Sequence, residues 1–266
     1  VHFCLFLAFL LSPANSLAAS DQQQNNPDGK AVDMLARMTP EEKVGQLFLI
    51  TFDGPDIGLD SDIYNLITNY HIGGAVLLAE SDNFTGAEGT VQAAVALTQG
   101  LQRVEALSSQ SGTVDPDTGE SAVPAYVPLF IATIQEGNSY PTDQVMNGLS
   151  TLPSSMALGA TWQPPYARQV GEVLGQELEA IGVNLLLGPS LDVLEAPSGD
   201  SQGDLGTRTF GGDPFWVGKM GKAYIAGVHG GSGNRVAVIA KHFPGHGGSD
   251  RLPEDEVATV RKSLEQ

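Results

Sequence analysis

Five short apolar runs recur along the chain, each closed by polar or glycine-rich sequence. They are Gln46 to Phe52 (QLFLITF), Ile72 to Ala79 (IGGAVLLA), Leu129 to Ile134 (LFIATI), Asn184 to Val193 (NLLLGPSLDV) and Val236 to Ala240 (VAVIA). They lack the alternation of a strand with one wet face, so the pattern predicts strands buried on both sides. Between them lie stretches of helical period: Ser61 to Tyr70, Thr90 to Leu107, Pro165 to Ile181 and Pro214 to His229. The third closes at Gly182, where a helix C-terminal cap belongs. Ahead of the first run, Thr39 can cap a helix that Pro40 begins, with Glu42 completing a Thr-x-x-Glu box.

Strands alternating with helices predict a parallel α/β fold. No G-x-G-x-x-G follows the first strand, which favours a (β/α)8 barrel of the TIM type over an open doubly wound sheet. The polar segment Ser108 to Val123 precedes a strand and reads as an insertion at the bottom of the barrel, without chemistry. Segments 135–155, 194–209 and 243–255 follow strands instead, at the end where a βα barrel carries its active site. Glu254 to Gln266 reads as a last helix with Val257, Val260 and Leu264 on one face. Five βα units leave open sheet edges that natural proteins cover. The sequence is therefore expected to be an incomplete, N-terminal part of the barrel.

Composition narrows the function classes. The chain has 266 residues, of which 41% are hydrophobic and 17% charged, an ordinary globular balance. With 31 acidic against 13 basic residues and a net charge of -18, it lacks the basic face that a nucleic-acid partner needs. The first residues, VHFCLFLAFLLSPANSLAAS, have an apolar run from Phe3 to Leu11, a break at Pro13 and small residues at Ser16, Ala18 and Ala19. That order is a signal peptide's, and the run is too short for a comfortable membrane span. Residues 1–19 are expected to be a signal peptide, 20–30 a polar linker and 31–266 the barrel domain. No stable membrane span is expected after cleavage, a retained anchor being the alternative. Cys4, the only cysteine, falls inside the leader, so no disulfide is expected.

The densest candidate chemistry is KHFPGHG, Lys241 to Gly247, directly after the fifth apolar run. Two histidines four apart suit a metal pair on a helix, but Pro244-Gly245 between them breaks a helix and no Cys or third His converges. No metal is expected. There is also no G-x-S-x-G elbow and no G-K-[ST] phosphate loop. Trp162 and Trp216 read as sugar platforms or as core and rim packing.

Seven segments in register, MTPEEKVGQLF, HIGGAVLL, PLFIATIQEG, LPSSMALGAT, GVNLLLGPSLDV, GTRTFGGDP and KHFPGHG, resemble the N-terminal barrel domain of glycoside hydrolase family 3. This is the family of bacterial β-N-acetylhexosaminidases and β-glucosidases. The KHFPGHG form is more typical of the hexosaminidase branch. The resemblance implies a retaining glycosidase acting on β-linked terminal sugars without a cofactor. It matches Lys241 and His242 to a pair that hydrogen-bonds sugar hydroxyls, and Arg208 to an arginine gripping the same sugar. Asp192 matches a family aspartate near the pocket and is expected among the substrate-binding residues, although as a residue it reads equally well as a loop or helix cap. His246 belongs to the loop's structure.

The chain departs from the family in three places. Ile134 stands where an aspartate usually precedes Gln135-Glu136-Gly137, so that part of the subsite is expected to be weakened or reshaped. The hexosaminidase Asp-Ser-His is replaced by Leu252-Pro253-Glu254. Glu254 can serve as acid/base if its pKa is raised, or can simply favour a helix start. The nucleophilic aspartate is expected beyond Gln266, so this chain alone is expected to be inactive. The alternatives to an exported glycosidase are a secreted glycan-binding pseudoenzyme and a structural envelope domain.

Overall fold

The structure, a computed structural model, describes residues 27–84, 88–114, 119, 121–194, 205–249, 257 and 259. The first described element is α1 (Pro27–Arg37), which begins inside the stretch expected to be linker. It belongs to a compact unit ending at Thr39, and the remaining elements to one starting at Pro40. In chain order these are α2 (Pro40–Gly45), β1 (Leu49–Thr51), α3 (Asp62–Tyr70), β2 (Gly74–Val76) and α4 (Thr90–Ser108). A short hairpin, β3 (Thr113–Val114) with β4 (Ser121–Ala122), precedes β5 (Phe130–Thr133). Then come α5 (Ser155–Gly159), α6 (Pro164–Ala180), β6 (Leu185–Ser190), α7 (Pro214–Gly231) and β7 (Ala237–Lys241).

The main sheet runs β1-β2-β5-β6-β7, parallel throughout. Each new strand adds beside the previous one, and the order never reverses. That is the winding of a βα barrel, whereas a doubly wound sheet changes direction at a switch point. Two polar side chains fasten strand ends to each other. Asn184 accepts from Ile131 N at 2.7 Å and donates to Leu129 O at 2.9 Å. Asn83 accepts from Leu78 N and donates to Phe52 O, both at 2.9 Å.

Burial on both faces holds for the middle of the sheet. Ala75, Ile131, Ala132, Leu185 and Leu186 are buried, and Ala75, Ile131 and Leu186 share one core with Ile63, Ile67, Leu101, Leu174, Leu178 and Met220 from the helices, while Phe130 at the start of β5 stays exposed. The expectation fails at the two edges. Every residue of β1 and β7 keeps some exposure, including Leu49 and Ile239, because each of these strands has a neighbour on one side only. Helices α6 and α7 approach closely through glycine. A Cβ on Gly171 or Gly175 would strike the carbonyl of Tyr224 or Val228, and one on Gly227 or Gly231 that of Arg168 or Glu172.

Gly182 does close α6. Its φ is +82°, and Val183 N donates to Leu178 O at 3.0 Å in the bond pattern of a Schellman cap. Glu42, expected in a capping box, accepts from Ala125 N at 2.7 Å and so ties α2 to the approach to β5. The segment expected to be a plain insertion contains the β3–β4 hairpin. The expected last helix lies outside the described residues.

Candidate functional site at the carboxyl ends of the strands

Glu136 is the centre of the site. It follows β5 in the Gln135-Glu136-Gly137 turn, and its side chain is 1% exposed. A carboxylate so deeply buried needs compensating charge, and two cations supply it. Arg208 Nε donates to Oε2 at 2.8 Å. Lys241 Nζ lies 2.8 Å from Oε1, an ion pair whose angle falls outside hydrogen-bond geometry. The cations keep partial exposure, 22% for Arg208 and 15% for Lys241. Their remaining N–H groups make a donor-rich surface carrying one net positive charge.

Strand geometry puts these groups together. Lys241 ends β7, Arg208 ends the short helical turn Gly206–Arg208, and Glu136 lies three residues past β5. A register shift between Leu187 and Ser190 in β6 sets Ser190 opposite Lys241. Two residues on, Asp192 has a fully buried side chain. Its Oδ2 accepts from Ser190 Oγ at 2.8 Å, from His242 N at 3.2 Å and from His242 Nδ1 at 2.6 Å, and its Oδ1 accepts from His246 N. Burial pushes the Asp192 pKa up, but bonds from His242, His246 and Ser190, with attraction to the His242 ring, outweigh it and hold the pKa at about 2. Donation from His242 Nδ1 leaves Nε2 as the nitrogen available to a ligand.

The residues selected from the sequence thus separate by role. Lys241 and Arg208 meet on Glu136, and His242 follows Lys241 directly with its ring held by Asp192. Asp192, expected among sugar-contacting residues, instead sits behind His242 with both oxygens engaged by protein groups. It holds the KHFPGHG loop. Pro244-Gly245 does not part the histidines, because the loop turns back and stacks the His242 and His246 rings at 4.0 Å and 15°. Gly247 is needed where it stands, since a Cβ there would run into the Val193 carbonyl. Trp162 packs edge-to-face on Trp216 at 5.1 Å while staying 55% exposed. Glu254 lies outside the described residues.

Sequence reasoning missed Glu136 as the organiser and Asp143 as its neighbour. Asp143 is buried in the loop after Glu136, and its oxygens accept from Gly137 N at 2.7 Å and Ser139 N at 2.9 Å. Burial raises its pKa; the bonds from Gly137 and Ser139 work against this, and the nearby Glu136 charge adds to it. Burial likewise pushes up the Tyr224 hydroxyl, helped by Glu136 and Asp143. The one available signal was a Gln-Glu-Gly turn at a strand end, where Gly137 holds a φ of +84° and a Cβ would strike the Pro153 carbonyl.

Fold and site together define a parallel βα-barrel domain with a charged, donor-rich site at the carboxyl ends of its strands. The profile of the Glycosyl hydrolase family 3 N terminal domain matches residues 39–266, and the chain belongs to that family. It is 30% identical over 192 residues to a β-hexosaminidase A of Pseudoalteromonas piscicida, covering 71% of this chain and 27% of that protein. It is 31% identical over 222 residues to a β-N-acetylglucosaminidase/β-glucosidase of Cellulomonas fimi, covering 82% of this chain and 31% of the relative. Among solved structures, a family 3 β-N-acetylglucosaminidase from Paenibacillus sp. str. FPU-7 superposes with a TM-score of 0.70 at 30% identity. That match covers 86% of this chain and 37% of the other. The sheet is accordingly part of a TIM-type barrel, and the chain spans about a third of the length of these relatives.

Proposed function

We propose that the chain supplies the sugar-holding part of the active site of a glycoside hydrolase that removes β-linked terminal sugars, with N-acetylglucosamine as the preferred one. The observation that carries the reading is the Glu136 clamp. It fixes Arg208 and Lys241 on one carboxylate, and His242, the residue after Lys241, is held by Asp192, so one ammonium, one guanidinium and one imidazole are offered to the hydroxyls and carbonyl of a pyranoside. The names of the relatives support the substrate class. Asp192 acts as a positioning residue, by keeping His242 in one orientation and one tautomer.

The test uses the protein in its full reading frame with p-nitrophenyl β-N-acetylglucosaminide and β-glucoside. Hydrolysis faster on the first is expected, and no hydrolysis of any aryl β-glycoside would sink the reading. Glu254→Gln in the same protein decides whether Glu254 is the acid/base. A loss that grows as the leaving group becomes a poorer one assigns it, and an unchanged rate returns it to the start of a helix. Export is part of the proposal and rests on the apolar run from Phe3 to Leu11 and the small residues after it. Finding the protein only in the cytoplasmic fraction would remove it.

A further inference from the structure

The sugar-holding surface has donors in excess. Arg208 and Lys241 carry only N–H groups, both oxygens of Glu136 already face those cations, and Asp192 is sealed behind His242. A sugar hydroxyl that must donate finds few acceptors here. Ile134, the residue after β5, offers an apolar side chain.

The loop that follows has one. Gly137, Asn138 and Ser139 hold φ values of 84°, 77° and 66°, a run of left-handed residues that strains the two with side chains. Internal bonds hold the run in place. The Asp143 carboxylate accepts from Gly137 N and Ser139 N, and Asn138 N donates to Leu152 O at 3.3 Å. The strained residues are exposed, whereas the groups that fix them are buried. Asn138 Nδ2 reaches across to donate to Thr207 Oγ1 at 3.4 Å, next to Arg208. With its nitrogen given to Thr207, the chain neighbour of Arg208, the exposed amide keeps Oδ1 as an acceptor.

We propose that Asn138 is a specificity-determining residue of the sugar site, its Oδ1 accepting a hydrogen bond from one ring hydroxyl of the sugar that Arg208 holds. The inference rests on the sugar-site reading above. It assigns to the strained loop the acceptor role that Ile134 cannot perform.

The experiment is calorimetric titration of the protein in its full reading frame with N-acetylglucosamine and with its 3-, 4- and 6-deoxy analogues. Glycine accepts the φ of 77° without strain, so Asn138→Gly removes the side chain and leaves the loop able to fold. Loss of one neutral hydrogen bond predicts weaker binding of N-acetylglucosamine by roughly tenfold. One deoxy analogue is expected to bind wild type and Asn138→Gly equally, because the bond is already missing from that ligand. Asn138→Asp keeps an acceptor and is expected to stay within about threefold of wild type. The proposal is overturned if Asn138→Gly binds every ligand as wild type does, or weakens all four by one common factor. If wild type binds none of them, the sugar-site reading falls and this inference with it. Binding by wild type that is lost in Lys241→Met but indifferent to Asn138→Gly removes Asn138 alone.

Discussion

Asp192 Oδ2 lies 2.6 Å from Nδ1 of His242 and 3.2 Å from the backbone nitrogen of the same residue. One carboxylate oxygen therefore sets both where His242 leaves β7 and which ring nitrogen faces outward. The other oxygen takes His246 N, so a single buried side chain fixes both histidines of the loop.

The pH consequence has a definite sign. The folded pKa of Asp192, about 2, is below its ordinary value of 3.8. The stability this contributes is fully present above the ordinary value and is lost as pH falls through about 2. A shift of this size corresponds to something on the order of 2 kcal/mol. Asp192→Asn should lower unfolding stability at pH 7 by about that amount and flatten the acid limb between pH 4 and 2. Urea titrations at stepped pH values check both. The same variant should weaken N-acetylglucosamine binding, since His242 loses its anchor.

Glu136 is predicted to be the costliest residue of the site to neutralise. Glu136→Gln leaves two neighbouring cations without their counter-charge, and breaking a buried pair on one side typically costs a few kcal/mol. A loss of roughly 3 kcal/mol is expected. Removing one cation, as in Arg208→Met or Lys241→Met, leaves Glu136 the other and should cost less. The double variant Glu136→Gln/Arg208→Met should be less unstable than the sum of its parts. Additive losses in chemical denaturation would show that the three charges do not act as one unit.

Two glycine substitutions should move stability in opposite directions. Gly182 has φ +82°, and a Cβ there would come within 2.5 Å of Thr98 Oγ1, which itself donates to Ile181 O at 2.8 Å. Gly182→Ala is expected to cost about 1 to 2 kcal/mol through strain and that displaced bond. Gly218, inside α7, has an ordinary helical backbone, and a methyl group added there would meet nothing within 4 Å. Gly218→Ala should stabilise by roughly 0.5 to 1 kcal/mol from helix propensity. Thermal melts of the two variants beside wild type give the comparison.

The barrel strands and the long helices were legible because each carries a periodic signal several residues long. The short pieces were not. Helix α5 has five residues and the β3–β4 hairpin two per strand, too few for a period to register. Lys241, His242 and Arg208 were readable from motifs. Their organisation was not, because the Arg208–Glu136 bond joins residues 72 apart in sequence. Asp192 shows the same limit from another side. An aspartate at a strand end looks identical in sequence whether it faces a ligand or turns back to hold a loop, and only its lack of exposed surface decides. The His242–His246 stack was hidden by Pro244-Gly245, which ends a helix but equally well folds a loop back on itself.

Far from the polar site, Glu105 and Glu42 form a buried pair of carboxyls under the segment leading into β5. Glu42 Oε1 accepts from Ala125 N at 2.7 Å and Glu105 Oε1 from Val127 N at 3.4 Å. Burial pushes the Glu105 pKa up from 4.5 to about 7; the Val127 bond works against this, and the Glu42 charge adds to it. For an acid with a raised folded pKa, the stability is fully present below the unfolded value and is lost as pH rises through the folded one. Unfolding stability should therefore fall between about pH 4.5 and 7 and stay low above that range. Glu105→Gln keeps an acceptor for Val127 N and removes the ionisation. It should raise stability at pH 8 by on the order of 2 to 3 kcal/mol and abolish the decline. Glu42→Gln should retain the decline but move it to lower pH, since Glu105 then loses a neighbouring charge. Denaturant midpoints measured from pH 4 to 9 distinguish the three proteins. A Glu105→Gln curve parallel to wild type over that range would place the titration elsewhere.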